Sequence, residues 1–298
     1  MKSGAVLPLP RAGLAEDVAH ARARPAPLRW IGNALLLLVA LQIVVFFVTN
    51  ARFEWHVVFQ YLFAATVLKG LGMTIVLTVV AMLIGAVIGT ACALLLMGDW
   101  KPGRWAACAY LWAFRGTPLM IQLIFWYNLA YLVPTISIGI PFAAPLVQWE
   151  SNELITPLLA ALLGLGLAEG AYMTEIVRAG LLSVDARQHD AARAIGMTPA
   201  RSFLRIVLPQ AMRFIIPPTG NQVISMAKAT ALVSVISMND LLHAVQMIYN
   251  RTYQIVPLLM VAVIWYLALI TVLYALQGRL ERRYSRGQRH ARAADARP

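Results

Sequence analysis

The sequence predicts an all-α integral membrane protein with about six transmembrane helices, and three observations carry that reading. Of 298 residues, 60% are hydrophobic and only 13% charged, where a water-soluble domain has about a quarter of its residues charged. Six apolar runs reach or approach the roughly 20 residues that a helix needs to cross the hydrocarbon core. The lysines and arginines, which leave a formal net charge of +12, gather on alternate connections between those runs.

The runs lie at 31–48, 70–97, 105–133, 155–177, 222–242 and 255–277. The second and third exceed the minimum, which leaves room for tilt or for interfacial turns. The fifth carries Ser225, Lys228, Thr230, Ser234 and Ser237, so it should face protein or a water-filled path rather than lipid. Residues 1–30 are rich in Arg, Ala and Pro, have no sustained apolar period, and read as a disordered basic cytoplasmic tail rather than a cleaved signal peptide. Residues 278–298 read as a second basic tail.

Charge sets the orientation. Five basic residues precede the first run, two (Lys101 and Arg104) follow the second, six follow the fourth and seven lie in the C-terminal tail, whereas the opposite connections hold Arg52, Lys69 and Arg251. Positive residues stay inside, so both termini of this multi-pass chain are expected in the cytoplasm. Topology thus accounts for the basic charge without nucleic acid. The outer connections hold Trp55, Tyr61, Trp149 and several prolines, as an outer interface should.

Catalytic patterns are missing. Gly98 and Gly103 have the glycine spacing of a phosphate loop, but Arg104 and Trp105 follow where lysine and a hydroxyl are needed. Neither a zinc-protease helix motif nor a nucleophile elbow occurs, and Cys92 and Cys108 make neither a disulfide framework nor a metal site. The chain is read as carrying no catalytic constellation of its own, hence not an enzyme, and no cofactor. Gly85-x3-Gly89 and Gly166-x3-Gly170 put small residues on one helical face, as close helix packing in a bundle requires.

The segment after the fourth run, from Arg178 to about Asn221, is too long for a simple loop. Asp190, Ala191, Ala192, Arg193 and Ala194 are helix material, and Gly196 suits a left-handed C-terminal cap. Thr198-Pro199 reads as an N-cap with proline at the first helical position. Phe203, Ile206 and Val207 form an apolar stripe, and Pro209 is expected to end or kink that second helix. Two short helices therefore meet at a glycine turn, which suits either a docking surface or an ordinary amphipathic one.

Asp190-Ala191-Ala192-x3-Gly196-x9-Ile206-x-Leu208-Pro209 resembles the Glu-Ala-Ala (EAA) loop of the permease subunits of bacterial ATP-binding-cassette (ABC) importers. Phe114-Arg115-Gly116-Thr117-Pro118-Leu119 with Gln122-Leu123, the stretch 171–180, and Leu208-Pro209-Gln210-Ala211 with Pro217-Pro218 and Asn221-Gln222 resemble the polar amino-acid branch (histidine, glutamine or arginine type). The resemblance covers residues 66–277 and implies a type I importer transmembrane domain with a coupling loop at 187–211. Residues 31–65 are an extra N-terminal helix and its external connection. In the resemblance, Asp190, Ala191, Ala192, Gly196, Met197, Thr198, Pro199 and Ala200 couple to a separate ATPase subunit. It also implies a second permease subunit, identical or paralogous, an extracytoplasmic solute-binding protein and a polar amino acid as cargo. Three departures stand out: Asp190 replaces glutamate, Arg187 replaces glycine, and Ala229 takes the place of an acid in Lys228-Ala229-Thr230.

Several ionisable groups fall within or beside the runs, where each needs a partner or water. Glu175 and Arg178, three residues apart, are expected to pair on one face. Glu169 and Lys228 either pair with each other or bracket the ammonium and carboxylate of an amino acid. Arg115 serves packing or gating beside a helix break at Thr117-Pro118. Glu169, Tyr172, Glu175, Lys228, Thr230 and Arg115 are thus the candidate substrate path. The rival reading is an ion-gradient-driven secondary transporter or channel, which predicts inverted repeats and a chain of intramembrane acids.

Overall fold

The structure is a computed structural model that describes residues 27–138 and 147–284. Most of both expected basic tails lies outside the described residues. The chain divides into two compact units, residues 1–52 and 53–298. The first unit contains α1 (Pro27–Thr49), which has no acidic residue in its first turn and no basic residue in its last. Its described side chains are all exposed. With valine, leucine, isoleucine and phenylalanine on every side, it has the composition of a lipid-facing helix.

The second unit is a helical bundle. It opens with α2 (Trp55–Leu62), α3 (Ala65–Met97), α4 (Lys101–Gly116), α5 (Leu119–Tyr127) and α6 (Leu129–Leu132). An antiparallel hairpin, β1 (Thr135–Ile138) with β2 (Val147–Glu150), pairs Thr135 with Glu150 and Ile136 with Trp149. Next come α7 (Ser151–Leu154), α8 (Pro157–Leu182), α9 (Ala186–Ala194) and α10 (Pro199–Ser202). The chain ends in α11 (Leu208–Ala229), α12 (Leu241–Thr252) and α13 (Ile255–Tyr284).

Among the described residues, Trp30–Thr49, Ala65–Met97, Pro157–Leu182 and Ile255–Arg283 are each long and apolar enough to cross a membrane, and the pair Pro199–Ile236 and Leu241–Thr252, bent by 44°, makes a fifth span if taken as one. The expected third span, 105–133, carries the helix break expected at Thr117-Pro118. It breaks between α4 and α5, where Thr117 takes an extended φ of −109° and ψ of 139° ahead of Pro118. Steric clash with a following proline drives that conformation. The carbonyls freed by the break find one donor group. The Gln122 amide nitrogen reaches the Phe114 and Thr117 carbonyls, each at 3.0 Å, and the Thr117 hydroxyl at 2.8 Å.

The fifth span differs from expectation. Helix begins at Leu208 rather than Gln222 and runs through Pro217 and Pro218. Pro209 neither ends nor kinks it, because residues Phe203–Val207 form a π turn in which the Leu208 N–H donates to the Phe203 carbonyl, five residues back. The proline's missing N–H falls where the hydrogen-bond ladder changes step, so nothing is left unpaired there. Past Ala229 the helix tightens into a 3-10 stretch, Thr230–Ile236, and stops at Ser237, whose φ is +58°.

The two glycine motifs pack against each other across α3 and α8. A Cβ on Gly89 would lie 2.5 Å from the Met173 Cβ, and one on Gly85 2.6 Å from the Glu169 Cγ. In return Gly166 and Gly170 receive Ile84 and Ile88. Close approach of the backbones requires the missing side chains on both helices. Leu77, Ala81, Leu123, Leu165, Met173 and Val233 form the core around this contact. A second core joins α2 and the start of α3 to α12 and α13 through Val58, Val67, Leu241, Val245, Leu258 and Val261.

Asp240, fully buried, anchors that second core. Its carboxylate caps α12 by accepting from the Leu242 and His243 amides at 3.2 and 2.8 Å, and also accepts from the Tyr266 hydroxyl at 3.2 Å. The Leu241 amide donates to the Thr74 hydroxyl at 3.1 Å. The carboxylate thus joins α12 to α13, with its charge met by amide and hydroxyl donors, while the neighbouring Leu241 amide ties α12 to α3.

Candidate transport site and coupling hairpin

The break between α4 and α5 opens one wall of a cavity of about 370 Å³, closed on its other sides by α8 and α11. Thr117 and Gln122 come from the break, Glu169 and Tyr172 from α8, and Gln222 and Ser225 from α11. Phe114, Leu119 and Met226 supply apolar wall. Glu169 is 4% exposed, and its Oε1, like Gln122 Oε1, has no hydrogen-bond partner among the described residues. Glu169 is held there because Gly85 leaves room for its Cβ and Cγ. Both residues line the cavity, and a carboxylate and an amide oxygen without donors are matched to a ligand rich in N–H groups.

The expected path residues separate into three groups. Glu169 and Tyr172 line the cavity. Arg115 sits with its guanidinium 5.6 Å from the Tyr172 ring centre, a cation–π approach, and pairs with Glu175 rather than leaving that carboxylate to Arg178. The helix break aims Arg115, in the last turn of α4, across at α8, where Glu175 follows Tyr172 by three residues and shares its face. Lys228 is exposed and lies outside the cavity wall, and it makes no ion pair with Glu169 among the described residues. Thr230 is buried, with its hydroxyl donating to the Ala227 carbonyl at 2.9 Å, so it stabilises the start of the 3-10 stretch. Gln222 and Ser225 are not among the candidate path residues, although Ser225 counts with the polar positions of the fifth run and Gln222 with the family motif. They stand three apart on α11, where polar side chains on one face were the signal that could have assigned them to the path.

The second feature is the hairpin of α9 and α10. Asp185 caps α9, accepting from the Arg187 amide at 2.9 Å, and its other oxygen accepts from the Arg187 Nε and Nη2 at 2.9 and 2.6 Å. Those hydrogen bonds hold the Asp185 carboxyl below the usual carboxylate range. Arg187, the departure from the family pattern, thus serves the cap. At the far end Gly196 has a φ of +73°. Its amide donates to the Arg193 carbonyl at 2.9 Å and the Met197 amide to the Ala192 carbonyl at 3.0 Å. These are the two bonds of a Schellman turn, with glycine at its left-handed position.

Thr198 takes the extended ψ of 150° proper to an N-cap, although its hydroxyl makes no cap bond, and Pro199 opens α10. Ala192 is buried against the hairpin's own second arm, whereas Asp190, Ala191, Thr198, Pro199 and Ala200 are exposed. Ile195, at the tip, is 75% exposed. The described residues contain no group of three or more His, Cys, Asp or Glu placed to hold a metal.

Comparison with known proteins agrees with this architecture. Residues 85–286 match the profile of the family described as binding-protein-dependent transport system inner membrane component. An arginine transport system permease protein of Corynebacterium glutamicum is 38% identical over 262 residues, covering 88% of this chain and 81% of its own length. An L-cystine transport system permease protein of Bacillus subtilis is 34% identical over 218 residues, covering 73% of this chain and 86% of its own length. Among solved structures, that of an amino acid ABC transporter with histidines superposes with a TM-score of 0.62 at 33% identity, covering 73% of this chain and 94% of its own. A chain that matches this profile and these permeases over such lengths belongs to the inner-membrane permease components of binding-protein-dependent ABC transport systems.

Proposed function

We propose that this chain forms the translocation path of an ATP-driven importer for a polar amino acid, and that Glu169 receives the ammonium group of the cargo. The observation that carries the reading is the buried Glu169 carboxylate oxygen, left without a partner at the wall of a polar cavity. An ammonium brings three donors and a positive charge, which such a site lacks. The named relatives serve arginine and cystine, so the shared ammonium–carboxylate chemistry, rather than one side chain, is the part of the cargo assigned. Arg115, Glu175 and Tyr172 stand at the edge of this cavity as a gate.

In this reading the hairpin at 190–200 seats in a separate ATPase subunit, with Ile195 as its exposed apolar contact, and an extracytoplasmic binding protein delivers the amino acid from the opposite face. The excess of basic residues on alternate connections supports a cytoplasmic hairpin and cytoplasmic termini. Two permease subunits, identical or paralogous, enclose the path. The bundle itself hydrolyses nothing. An ion-driven carrier would need a relay of intramembrane acids, but Asp240 is occupied as a helix cap and Glu175 by Arg115.

The test is purification of the full chain from its native membrane under gentle detergent. An ATPase subunit accompanies it, and ATP-dependent uptake of labelled polar amino acids follows reconstitution. Absence of any ATPase in such preparations contradicts the reading.

A further inference from the structure

A second cavity, of about 470 Å³, lies between α3, α8, α11 and the end of α13, away from Glu169. Leu94, Leu181, Leu208, Met212, Val223 and Leu280 are among its wall. Its two polar residues offer a guest nothing, because the Thr90 hydroxyl is spent on the Ala86 carbonyl at 2.7 Å and the Thr219 hydroxyl on the Ile215 carbonyl at 2.8 Å. An apolar cavity of this kind does not hold water; far smaller ones stay dry and take up hydrocarbon. In a bilayer the hydrocarbon at hand is a lipid tail.

One end of the cavity is marked by charge. Arg205 precedes the lining residue Leu208 by three positions, and Arg283 follows the lining residue Leu280 by three. On the α-helical α13 that spacing keeps Arg283 on the side that borders the cavity, and Arg205 lies in the π turn between two lining residues, Phe203 and Leu208. Both are exposed, and neither is in an ion pair among the described residues, where the pairs found are Arg115–Glu175 and Arg187–Asp185. The nearby Glu281 carboxylate is engaged by the Gln277 amide at 2.8 Å. An apolar slot ending at two unpaired arginines has the complementarity of a single amphiphile with an anionic head.

We propose that this cavity binds one acyl chain of an anionic phospholipid, with the headgroup phosphate held by Arg205 and Arg283. The assignment is independent of the transport site, since none of these residues lines the Glu169 cavity.

The experiment reconstitutes the full chain in phosphatidylcholine vesicles doped with a lipid that carries a photoactivatable group on its acyl chain. The probe's headgroup is either phosphatidylglycerol or phosphatidylcholine. Peptides bearing Leu181, Met212 or Leu280 are labelled by the phosphatidylglycerol probe about tenfold more than by the phosphatidylcholine probe, as two basic contacts near a membrane surface should give. Exchanging both arginines (R205Q with R283Q), which touches only exposed side chains, brings the two probes to equal labelling. Filling the slot with Val223→Trp removes labelling by both while leaving annular labelling of α1 unchanged. Equal labelling of these peptides by the two probes in the wild-type chain, or a preference that survives the double exchange, overturns the proposal. So does the finding that these peptides are shielded from both probes by a second copy of the chain.

Discussion

Glu169 is the residue on which the substrate reading turns. A buried carboxylate without a partner is costly, and in an isolated bundle it is a destabilising group that only a ligand offsets. Replacing it by glutamine keeps the shape and removes the charge. One charge-assisted hydrogen bond contributes about 1.5–3 kcal/mol, so E169Q should lower uptake efficiency by roughly tenfold to a hundredfold. Thermal stability of the empty chain should hold or rise. Uptake kinetics paired with a melting curve checks this, and unchanged uptake would remove Glu169 from the path.

Gly89 makes a complementary prediction about packing alone. A methyl there meets the Met173 Cβ at 2.5 Å and the Thr174 amide at 2.8 Å, neither of which can swing aside, so G89A should cost about 1–3 kcal/mol. G72A, with nothing within 4 Å of the added methyl, is the control that should be neutral. Melting in detergent separates them. These glycines were legible as a packing face from spacing, but their register with Glu169 was not. Only the assembled contact shows that Gly85 makes room for the acid.

At the scale of elements, the hairpin was the most legible part. Its helix, glycine turn and proline start all stand where local chemistry puts them, because capping depends on residues a few positions apart. A proline at Gly196 cannot reach a φ of +73° and deletes the amide that bonds Arg193. G196P should therefore abolish ATPase co-purification while the bundle still folds. Retained, coupled ATPase would show that the hairpin is not the contact.

Span ends were poorly legible. Pro209 and Pro217-Pro218 suggest helix boundaries, yet the π turn and the bundle carry the helix past them. The Arg115–Glu175 pair was missed for a related reason. A partner three residues away was visible in sequence, whereas the true partner arrives from another helix after a break. Charge reversal at either residue alone should impair transport, and the double exchange (R115E with E175R) should restore part of it, as a double-mutant cycle reads coupling. Additive losses would show that the pair is incidental.

For the whole molecule, hydropathy and basic-residue asymmetry were sufficient to predict a polytopic bundle, since lipid imposes its length and composition on every span. They could not show that one span is broken and another bent by 44°. The break places non-helical backbone and polar side chains at the wall of one cavity, the arrangement that a bilayer tolerates only where protein or a water-filled path surrounds it. Two energy sources are compatible with such a bundle in principle, and they separate in one assay. The complex purified with its ATPase is placed in vesicles without any ion gradient, and entry of a labelled polar amino acid is followed with the binding protein present, with and without ATP. Uptake that requires ATP hydrolysis and is indifferent to ionophores is the predicted result. Uptake that proceeds on an imposed ion gradient without ATP would contradict the account.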